Sequence, residues 1–162
     1  YDRTEEFGKE LGKRGHGLVF GGGKEGLMGA AARGVAAENG YILGIAPRFF
    51  DKPGVLYEYC TEFIFKETMR ERKYILESRS QATVVVPGGI GTYEEFFQNL
   101  TLKSLDRLDR PIVLYNINGY YDLMKKLLEH TADQAVMVKE VLDLCKFMDD
   151  PKEILDYIEN YR

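Results

Sequence analysis

The stretch from Ala82 to Glu95 reads ATVVVPGGIGTYEE, and it decides the fold of this chain. Its β-branched run, which ends at Pro87, is typical of a strand buried on both faces. Thr92 and Glu95 stand in the S/T-x-x-E relation of a capping box, which predicts a helix start. A strand, a glycine turn and a helix N-terminus together present backbone N–H groups to an anion; the alternative is a turn that binds nothing. The glycines of this turn are Gly88, Gly89 and Gly91.

Strands and helices alternate on both sides of this stretch. The alternation is typical of an α/β fold with a doubly wound, Rossmann-like, mostly parallel sheet, helices on both faces, and ligands at the carboxyl ends of the strands. Because the chain opens on a helix, the first strand and its loop are expected to be missing. The predicted strands are Leu18–Phe20, Tyr41–Ala46, Thr61–Phe65, Thr83–Val86, Pro111–Tyr115 and Leu144–Met148; the predicted helices are Tyr1–Arg14, Leu27–Asn39, Glu67–Ser80, Thr92–Leu105, Tyr120–His130 and one with Pro151 at its first position.

Composition and charge favour one soluble domain. With 162 residues, 44% of them apolar, the chain can bury a sizeable core, and no linker or repeat divides residues 1–162. The net charge of −4 argues against nucleic acid or a membrane surface as a partner. There is no membrane-spanning run and no signal-peptide pattern. Neither Cys60 and Cys145 nor the two histidines have metal-ligand spacing, so we expect no metal and a reduced, cytoplasmic setting.

A second glycine-rich loop follows the predicted strand Leu18–Phe20. Gly21, Gly23 and Gly26 fit the G-x-G-x-x-G dinucleotide pattern. The acidic residue that would hold a ribose hydroxyl is absent from Tyr41–Ala46, and the loop lacks the Gly-Lys-Ser/Thr ending of a P-loop. Two interpretations stay open: backbone contact with a nucleotide, or a tight turn with close helix packing. The small residues that would pack closely are Gly29, Ala30 and Ala31.

One arginine lies on the apolar face of the predicted helix Glu67–Ser80. At about 100° per residue, Arg72 projects between Ile75 and Leu76, on the face that should pack inward. A buried guanidinium without a partner is costly, so Arg72 is expected to meet an anion, either a carboxylate or a bound phosphate. Lys73 lies at the edge of the same face. A structural ion pair or a snorkelling side chain is the alternative.

Two adjacent glutamates in the helix after the glycine turn are predicted to differ in role. Glu95 lies away from the apolar face and is occupied by the predicted capping box. Glu94 lies beside Phe97 and Thr101 on the helical wheel, so if one carboxylate does chemistry, it is Glu94. The residues that this helix is predicted to bury are Phe96, Phe97 and Leu100.

As a set, these motifs resemble the LOG ("Lonely Guy") family of cytokinin riboside 5′-monophosphate phosphoribohydrolases, whose members are often labelled lysine decarboxylases. The motifs lie in order, with family-like spacing, as far as about Thr101. At Arg70 the family commonly has His, and at Leu102 and Ser104 it often has Trp and Gln, which leaves the preferred base open. The family pattern P-G-G-x-G-T-x-E is met by Pro87–Glu94, M-x-x-R-K by Met69, Arg72 and Lys73, the glycine loop by Gly21–Gly29, and the preceding T-E by Thr61 and Glu62.

The resemblance implies hydrolysis of the N-glycosidic bond of a nucleoside 5′-monophosphate to free base and ribose 5-phosphate. It implies no cofactor, and a homodimer whose interface completes the site. Arg72 would position the phosphate or base and stabilise the departing base, and Glu94 would bind ribose hydroxyls and stabilise oxocarbenium-like charge at C1′. The other binding residues that it implies are Lys73, Gly88, Gly89, Gly91, Thr92, Glu62, Gly22, Gly23 and Thr101.

The main alternative is a non-catalytic nucleotide or cofactor carrier on the same fold. A carrier would keep the glycine loops but would need neither Arg72 nor Glu94. A pyridoxal-phosphate decarboxylase lacks support because no Schiff-base lysine motif is recognisable. An NAD-dependent oxidoreductase is disfavoured by the missing acidic residue. A serine or cysteine hydrolase is also disfavoured, because the sequence contains no G-x-S-x-G motif and no histidine that pairs plausibly with either cysteine.

Overall fold

The computed structural model describes the whole chain, residues 1–162, as two compact units, 1–81 and 82–162. Each unit has a three-stranded parallel sheet of its own, with helices between the strands. The predicted α/β class is therefore confirmed, and the assignment of 1–162 to a single domain stays a prediction. No helix is both long and apolar enough to cross a lipid bilayer.

The first unit builds its sheet in the order β1-β2-β3, with β2 in the middle. All six residues of β2 are buried, as expected for a central parallel strand. Ile45 pairs with Ile64 on β3, and Phe20, the last residue of β1, pairs with Gly44. The elements are α1 (Asp2–Lys13), β1 (Leu18–Phe20), α2 (Gly26–Ala37), β2 (Ile42–Pro47), a 3₁₀ turn (Arg48–Phe50), β3 (Glu62–Lys66) and α3 (Met69–Ser78).

Helices α1 and α2 pack with their backbones in close contact. A Cβ at Gly8 would overlap the carbonyl oxygen of Ala31, and one at Gly34 would overlap that of Glu5. Within α2, Ala30 is fully buried, and a Cβ at Gly29 would overlap the carbonyl of Lys24. The close packing predicted for the small residues of this segment is thus confirmed.

The second unit builds its sheet in the order β4-β5-β6, again all parallel. Every residue of β5 is buried, and Phe96, Leu100 and Tyr121 pack beside it in one apolar cluster. The elements are β4 (Thr83–Val85), α4 (Ile90–Ser104), β5 (Ile112–Tyr115), a 3₁₀ turn (Ile117–Gly119), α5 (Asp122–Asp133), a 3₁₀ segment (Lys139–Leu144), β6 (Lys146–Met148) and α6 (Pro151–Glu159).

The start of α4 differs from its prediction. The helix begins at Ile90 with Gly89 as its N-cap, and no side chain caps it, so the predicted capping box of Thr92 and Glu95 is wrong. The physical reason is that the glycine turn lets the helix start two residues earlier, which places Thr92 inside the first turn. The S/T-x-x-E pattern marks a helix start but does not separate an N-cap from a third helical residue.

Two other helices do have side-chain caps. At the start of α3, the hydroxyl of Thr68 accepts the N–H of Glu71 at 3.2 Å and donates to its carboxylate at 3.0 Å. At the start of α6, Asp150 accepts the N–H of Glu153 at 2.9 Å, and Pro151 occupies the first turn as predicted. A T-x-x-E pattern of this chain thus caps α3 rather than α4.

The apolar face of α4 is narrower than predicted. Phe96 and Leu100 are buried, but Phe97 is 36% exposed, so its assignment to the core is wrong. Phe97 lies on the exposed side of the helix together with Ile90, Glu94 and Thr101. These four residues, spaced at helical intervals, form an exposed stripe along α4.

We expect Gly8→Ala to lower the free energy of unfolding by about 1–3 kcal/mol, because the added methyl group must separate α1 from α2. Helix propensity alone would favour alanine by about 0.5–1 kcal/mol, so the sign of the change decides between the two effects. Urea unfolding measures it. Gly91→Ala, where no atom lies within 4 Å of the added Cβ, is the matched control. Equal or greater stability of Gly8→Ala would contradict the close packing.

Candidate functional site

Arg72 lies at the carboxyl ends of two neighbouring strands. It is the buried residue of α3, only 8% exposed, as its place on the helical wheel predicts. Its Nε donates a hydrogen bond of 3.1 Å to the carbonyl of Ile45 on β2. Its terminal nitrogen packs against Gly21, which directly follows β1. The guanidinium therefore lies at the edge of the sheet where parallel α/β folds bind ligands.

The space for this guanidinium exists because residue 21 has no side chain. A Cβ on Gly21 would overlap the terminal nitrogen of Arg72. The backbone of Gly21 lies outside the left-handed region, so the reason for glycine here is room and not an unusual backbone angle. Gly21 and Arg72 thus form one structural feature, although 51 positions separate them in the sequence.

The rest of the first glycine loop is paired with a later segment. Gly22 accepts the N–H of Tyr57 at 2.8 Å, and the N–H of Lys24 donates to Val55 at 3.1 Å. Gly22 has φ +84, and a Cβ there would crowd the ring of Phe63. Part of this loop's backbone is therefore already used within the fold. Gly22 and Gly23 lie at the ligand-facing edge, and their role in substrate binding stays a prediction.

The 3₁₀ turn after β2 adds side chains that the sequence reasoning did not assign. Phe49 and Phe50 are exposed and contact each other edge to face, with ring centroids 4.8 Å apart. Arg48 pairs with Glu67 at 2.7 Å and lies over the ring of Phe65. The sequence feature that could have indicated this surface is the pair of phenylalanines shortly after a buried strand. The sequence analysis interpreted this segment only as a loop.

The turn after β4 leads directly into the first turn of α4. The first intrahelical hydrogen bond runs from the N–H of Tyr93 to the carbonyl of Gly89 at 3.0 Å. The N–H groups from Gly89 to Thr92 therefore have no acceptor within the helix. A Cβ on Gly88 would overlap the hydroxyl of Thr92, so glycine is required there for this side chain to fold back over the turn. The result is a row of uncapped amides next to a hydroxyl.

The two glutamates of α4 differ in exposure. Glu94 is exposed, whereas Glu95 is half-buried, and the backbone carbonyl of Glu95 accepts a 2.8 Å hydrogen bond from Asn99. Thr101 shares the exposed stripe with Glu94 but lies about 16 Å further along the helix axis than Ile90. Thr101 is therefore distant from the N-terminus of its own helix, and its role in substrate binding stays a prediction.

Lys73 and Glu62 lie in different settings. Lys73 follows Arg72 on α3 and is half-buried. Glu62 is the first residue of β3, at the amino end of the strand, where it accepts a hydrogen bond from Tyr41 and pairs with Arg79 at 3.5 Å. The hydrogen bond to Glu62 raises the pKa of the Tyr41 hydroxyl. Glu62 thus lies at the end of its strand opposite to the carboxyl end and contacts two side chains there, and its role in substrate binding stays a prediction.

Two tyrosines hold the turn after β4, and the sequence reasoning missed both. The hydroxyl of Tyr121 donates to the carbonyl of Val86 at 2.6 Å, and that of Tyr120 donates to the carbonyl of Gly88 at 2.8 Å. The sequence feature that could have indicated these contacts is the pair of adjacent tyrosines at the start of a predicted helix.

Neither cysteine is suited to nucleophilic attack. Burial raises the pKa of the thiols of Cys60 and Cys145 to about 11, so both are protonated at neutral pH. The structure also contains no group of three or more His, Cys, Asp or Glu side chains that could hold a metal ion.

Comparison with known proteins identifies the family. Residues 28–158 match the family model described as "Possible lysine decarboxylase". The cytokinin riboside 5′-monophosphate phosphoribohydrolase of Mycobacterium tuberculosis is 33% identical over 150 residues, which cover 93% of this chain and 80% of that protein. An enzyme of the same name from Arabidopsis thaliana is 30% identical, covering 99% of this chain and 71% of that protein. The chain belongs to the LOG family. It spans 64% and 66% of two LOG-family relatives from Oryza sativa subsp. japonica.

Solved structures share the fold. The molybdenum cofactor carrier protein of Chlamydomonas reinhardtii superposes with a TM-score of 0.72 at 23% identity, covering 98% of this chain and 84% of that one. The molybdenum cofactor binding protein of Rippkaea orientalis gives a TM-score of 0.70 at 18% identity, covering 98% and 85%. These likenesses show the fold alone: this LOG-family chain has a doubly wound, Rossmann-like α/β fold.

We expect Gly21→Ala to displace the Arg72 guanidinium and to lower the free energy of unfolding by about 1–3 kcal/mol, because the hydrogen bond to Ile45 is then strained or lost. A crystal structure and urea unfolding measure the two effects. Gly23→Ala is the matched control, since its Cβ meets only the end of Met28 at 3.6 Å. An unmoved Arg72 in Gly21→Ala would show that the glycine is not needed for room.

Proposed function

We propose that this chain hydrolyses the N-glycosidic bond of a nucleoside 5′-monophosphate, releasing the free base and ribose 5-phosphate. The observation that carries the proposal is the complete P-G-G-x-G-T-x-E motif of Pro87–Glu94, which folds as the turn after β4 and the first turn of α4, with a glycine as the N-cap. The names of the relatives over nearly the whole chain support the same reaction class.

The 5′-phosphate binds at the N-terminus of α4 in this proposal. The amides of Gly89 and Gly91 have no acceptor within the helix, and they lie at the positive end of the helix dipole. The Thr92 hydroxyl adds a donor beside them, and Gly88 leaves the room for it. Phosphate oxygens are strong acceptors, so several such hydrogen bonds fix the orientation of the nucleotide.

Arg72 and Glu94 carry the chemistry in this proposal. Water adds to C1′ while the electron pair of the glycosidic bond moves to the base nitrogen, and the leaving base takes up a proton. Glu94 stabilises the positive charge that develops on the sugar and orients the ribose hydroxyls. Arg72 stabilises the leaving base by hydrogen bonding, because a guanidinium keeps its charge and does not act as a general acid. Lys73 supports Arg72 in this role.

A homodimer is part of the proposal. The exposed stripe of α4 combines Ile90 and Phe97, which are apolar, with Glu94 and Thr101. Thr101 lies about 16 Å from the helix start, and this distance favours a contact with the substrate of a second copy. Size-exclusion chromatography with light scattering tests this assembly, and a dimer that Phe97→Glu dissociates is the expected result.

We also propose a cytoplasmic location, which two free cysteines favour.

The direct test is incubation with AMP and with isopentenyladenosine monophosphate. We expect free base and ribose 5-phosphate in equal amounts, measured after separation by chromatography. Comparing the rates for the two nucleotides reveals the preferred base. The corresponding nucleosides, which lack the phosphate, are the controls and are expected to react poorly. Tight nucleotide binding without any release of base would favour the carrier function instead.

We expect Glu94→Gln and Arg72→Ala each to lower kcat by at least about 100-fold, since one preorganised charge is worth roughly 2.7–4 kcal/mol of barrier lowering. Circular dichroism and thermal unfolding check that the fold is intact. Glu95→Gln is the matched control, because it removes the same charge one residue further along α4. A larger loss of activity in Glu95→Gln than in Glu94→Gln, at equal stability, would reverse the roles of the two glutamates.

A further inference from the structure

The peptide between Gly88 and Gly89 is held from one side only. Its carbonyl accepts a hydrogen bond of 2.8 Å from the Tyr120 hydroxyl. With glycine on both sides, this peptide has more rotational freedom than a peptide between residues with side chains, so an external contact helps to choose one orientation. The proposed function uses the amides of the turn but leaves this contact unexplained.

The orientation of the carbonyl also sets the direction of an N–H group. In a planar trans peptide, the C=O of Gly88 and the N–H of Gly89 point in opposite directions. The contact with Tyr120 therefore turns the N–H of Gly89 away from the tyrosine. If the peptide flipped, the carbonyl oxygen would take the place of that N–H and present partial negative charge to any bound anion.

Tyr120 is itself held in place by neighbours in the same unit. The Tyr93 hydroxyl lies 3.3 Å from the Tyr120 hydroxyl. Since the Tyr120 proton is donated to Gly88, Tyr93 acts as the donor in this pair, which gives a chain of hydrogen bonds that strengthen one another. The backbone N–H of the next residue, Tyr121, donates a hydrogen bond of 2.6 Å to the side-chain oxygen of Asn116.

Tyr121 makes a similar contact with a different consequence. Its hydroxyl donates to the carbonyl of Val86 at 2.6 Å, and the residue is only 1% exposed. The next residue is Pro87, so the Val86–Pro87 peptide has no N–H group to direct. Tyr121 therefore anchors the end of β4, whereas Tyr120 controls a hydrogen-bond donor.

We propose that Tyr120 is a positioning residue, which fixes the Gly88–Gly89 peptide so that the Gly89 N–H faces the phosphate monoester of the substrate. The proposal rests on the proposed phosphoribohydrolase function and assigns the recognition of the 5′-phosphate, rather than the base or the ribose, to this contact. Tyr120 does not touch the substrate, and it acts through the peptide alone.

The test compares Tyr120→Phe with the wild-type protein in binding and in turnover. We expect Tyr120→Phe to weaken the binding of ribose 5-phosphate, measured by calorimetry, and to raise KM for AMP by about tenfold, the usual effect of losing one hydrogen bond to a charged group. The change in kcat is expected to be smaller than the change in KM. For adenosine, which has no phosphate, the variant and the wild type should behave alike.

Two further variants separate positioning from general structure. Tyr121→Phe should lower the melting temperature more than Tyr120→Phe, without a loss of affinity that is specific to the phosphate. Tyr74→Phe, at a residue that is 67% exposed on α3, should change neither property. Equal losses for AMP and adenosine in Tyr120→Phe, or unchanged binding of ribose 5-phosphate, would overturn the assignment.

The outcomes also separate this assignment from the proposed function. If the wild-type protein binds ribose 5-phosphate but releases no base from any nucleotide, the hydrolase function fails, and the binding comparison still decides the role of Tyr120. If the wild-type protein binds no phosphate ester at all, both proposals are overturned. If it hydrolyses AMP and Tyr120→Phe does so with the same KM, only the positioning role is overturned.

Discussion

Two glycines that follow strand ends leave the space that polar side chains from later helices occupy. At Gly21 a Cβ would occupy the place of the Arg72 guanidinium, and at Gly88 it would occupy the place of the Thr92 hydroxyl. Both glycines lie outside the left-handed backbone region, so what they provide is room. In each unit a polar side chain from a later helix folds back over the end of a strand. The positions of the guanidinium and the hydroxyl therefore depend on the two glycines.

The early start of α4 changes the interpretation of the glycine motif. Because Gly89 is the N-cap, the amides of the glycine turn are also the amides of the first helical turn, and the N-cap residue itself has no side chain to bind them. A capping box at Thr92 would have used up some of these donors and the carboxylate of Glu95. A glycine N-cap thus leaves the donors to a ligand, and the helix is stabilised instead by the packing of Phe96 and Leu100.

The fold itself does not decide between catalysis and transport. Solved structures named as molybdenum cofactor carriers share the fold at TM-scores of 0.70 and 0.72, whereas the relatives by sequence are named as phosphoribohydrolases. A fold positions strand ends and helix starts, and the side chains placed there decide the chemistry. For this LOG-family chain we propose that those side chains are Arg72 and Glu94, which a carrier would not need.

Local patterns in the sequence were enough for the alternation of strands and helices, the inward position of Arg72 and the close packing of Ala30 with its neighbours. Each of these follows from periodicity or residue size within one element. The sequence did not reveal the helix start at Ile90, the exposure of Phe97 or the contact of Tyr120 with Gly88. These depend on which residues, distant in the chain, come to share the same space, since a helical wheel places a side chain on a face but does not say what covers that face. Only the tertiary structure brings Tyr120 to a carbonyl 32 residues earlier in the chain.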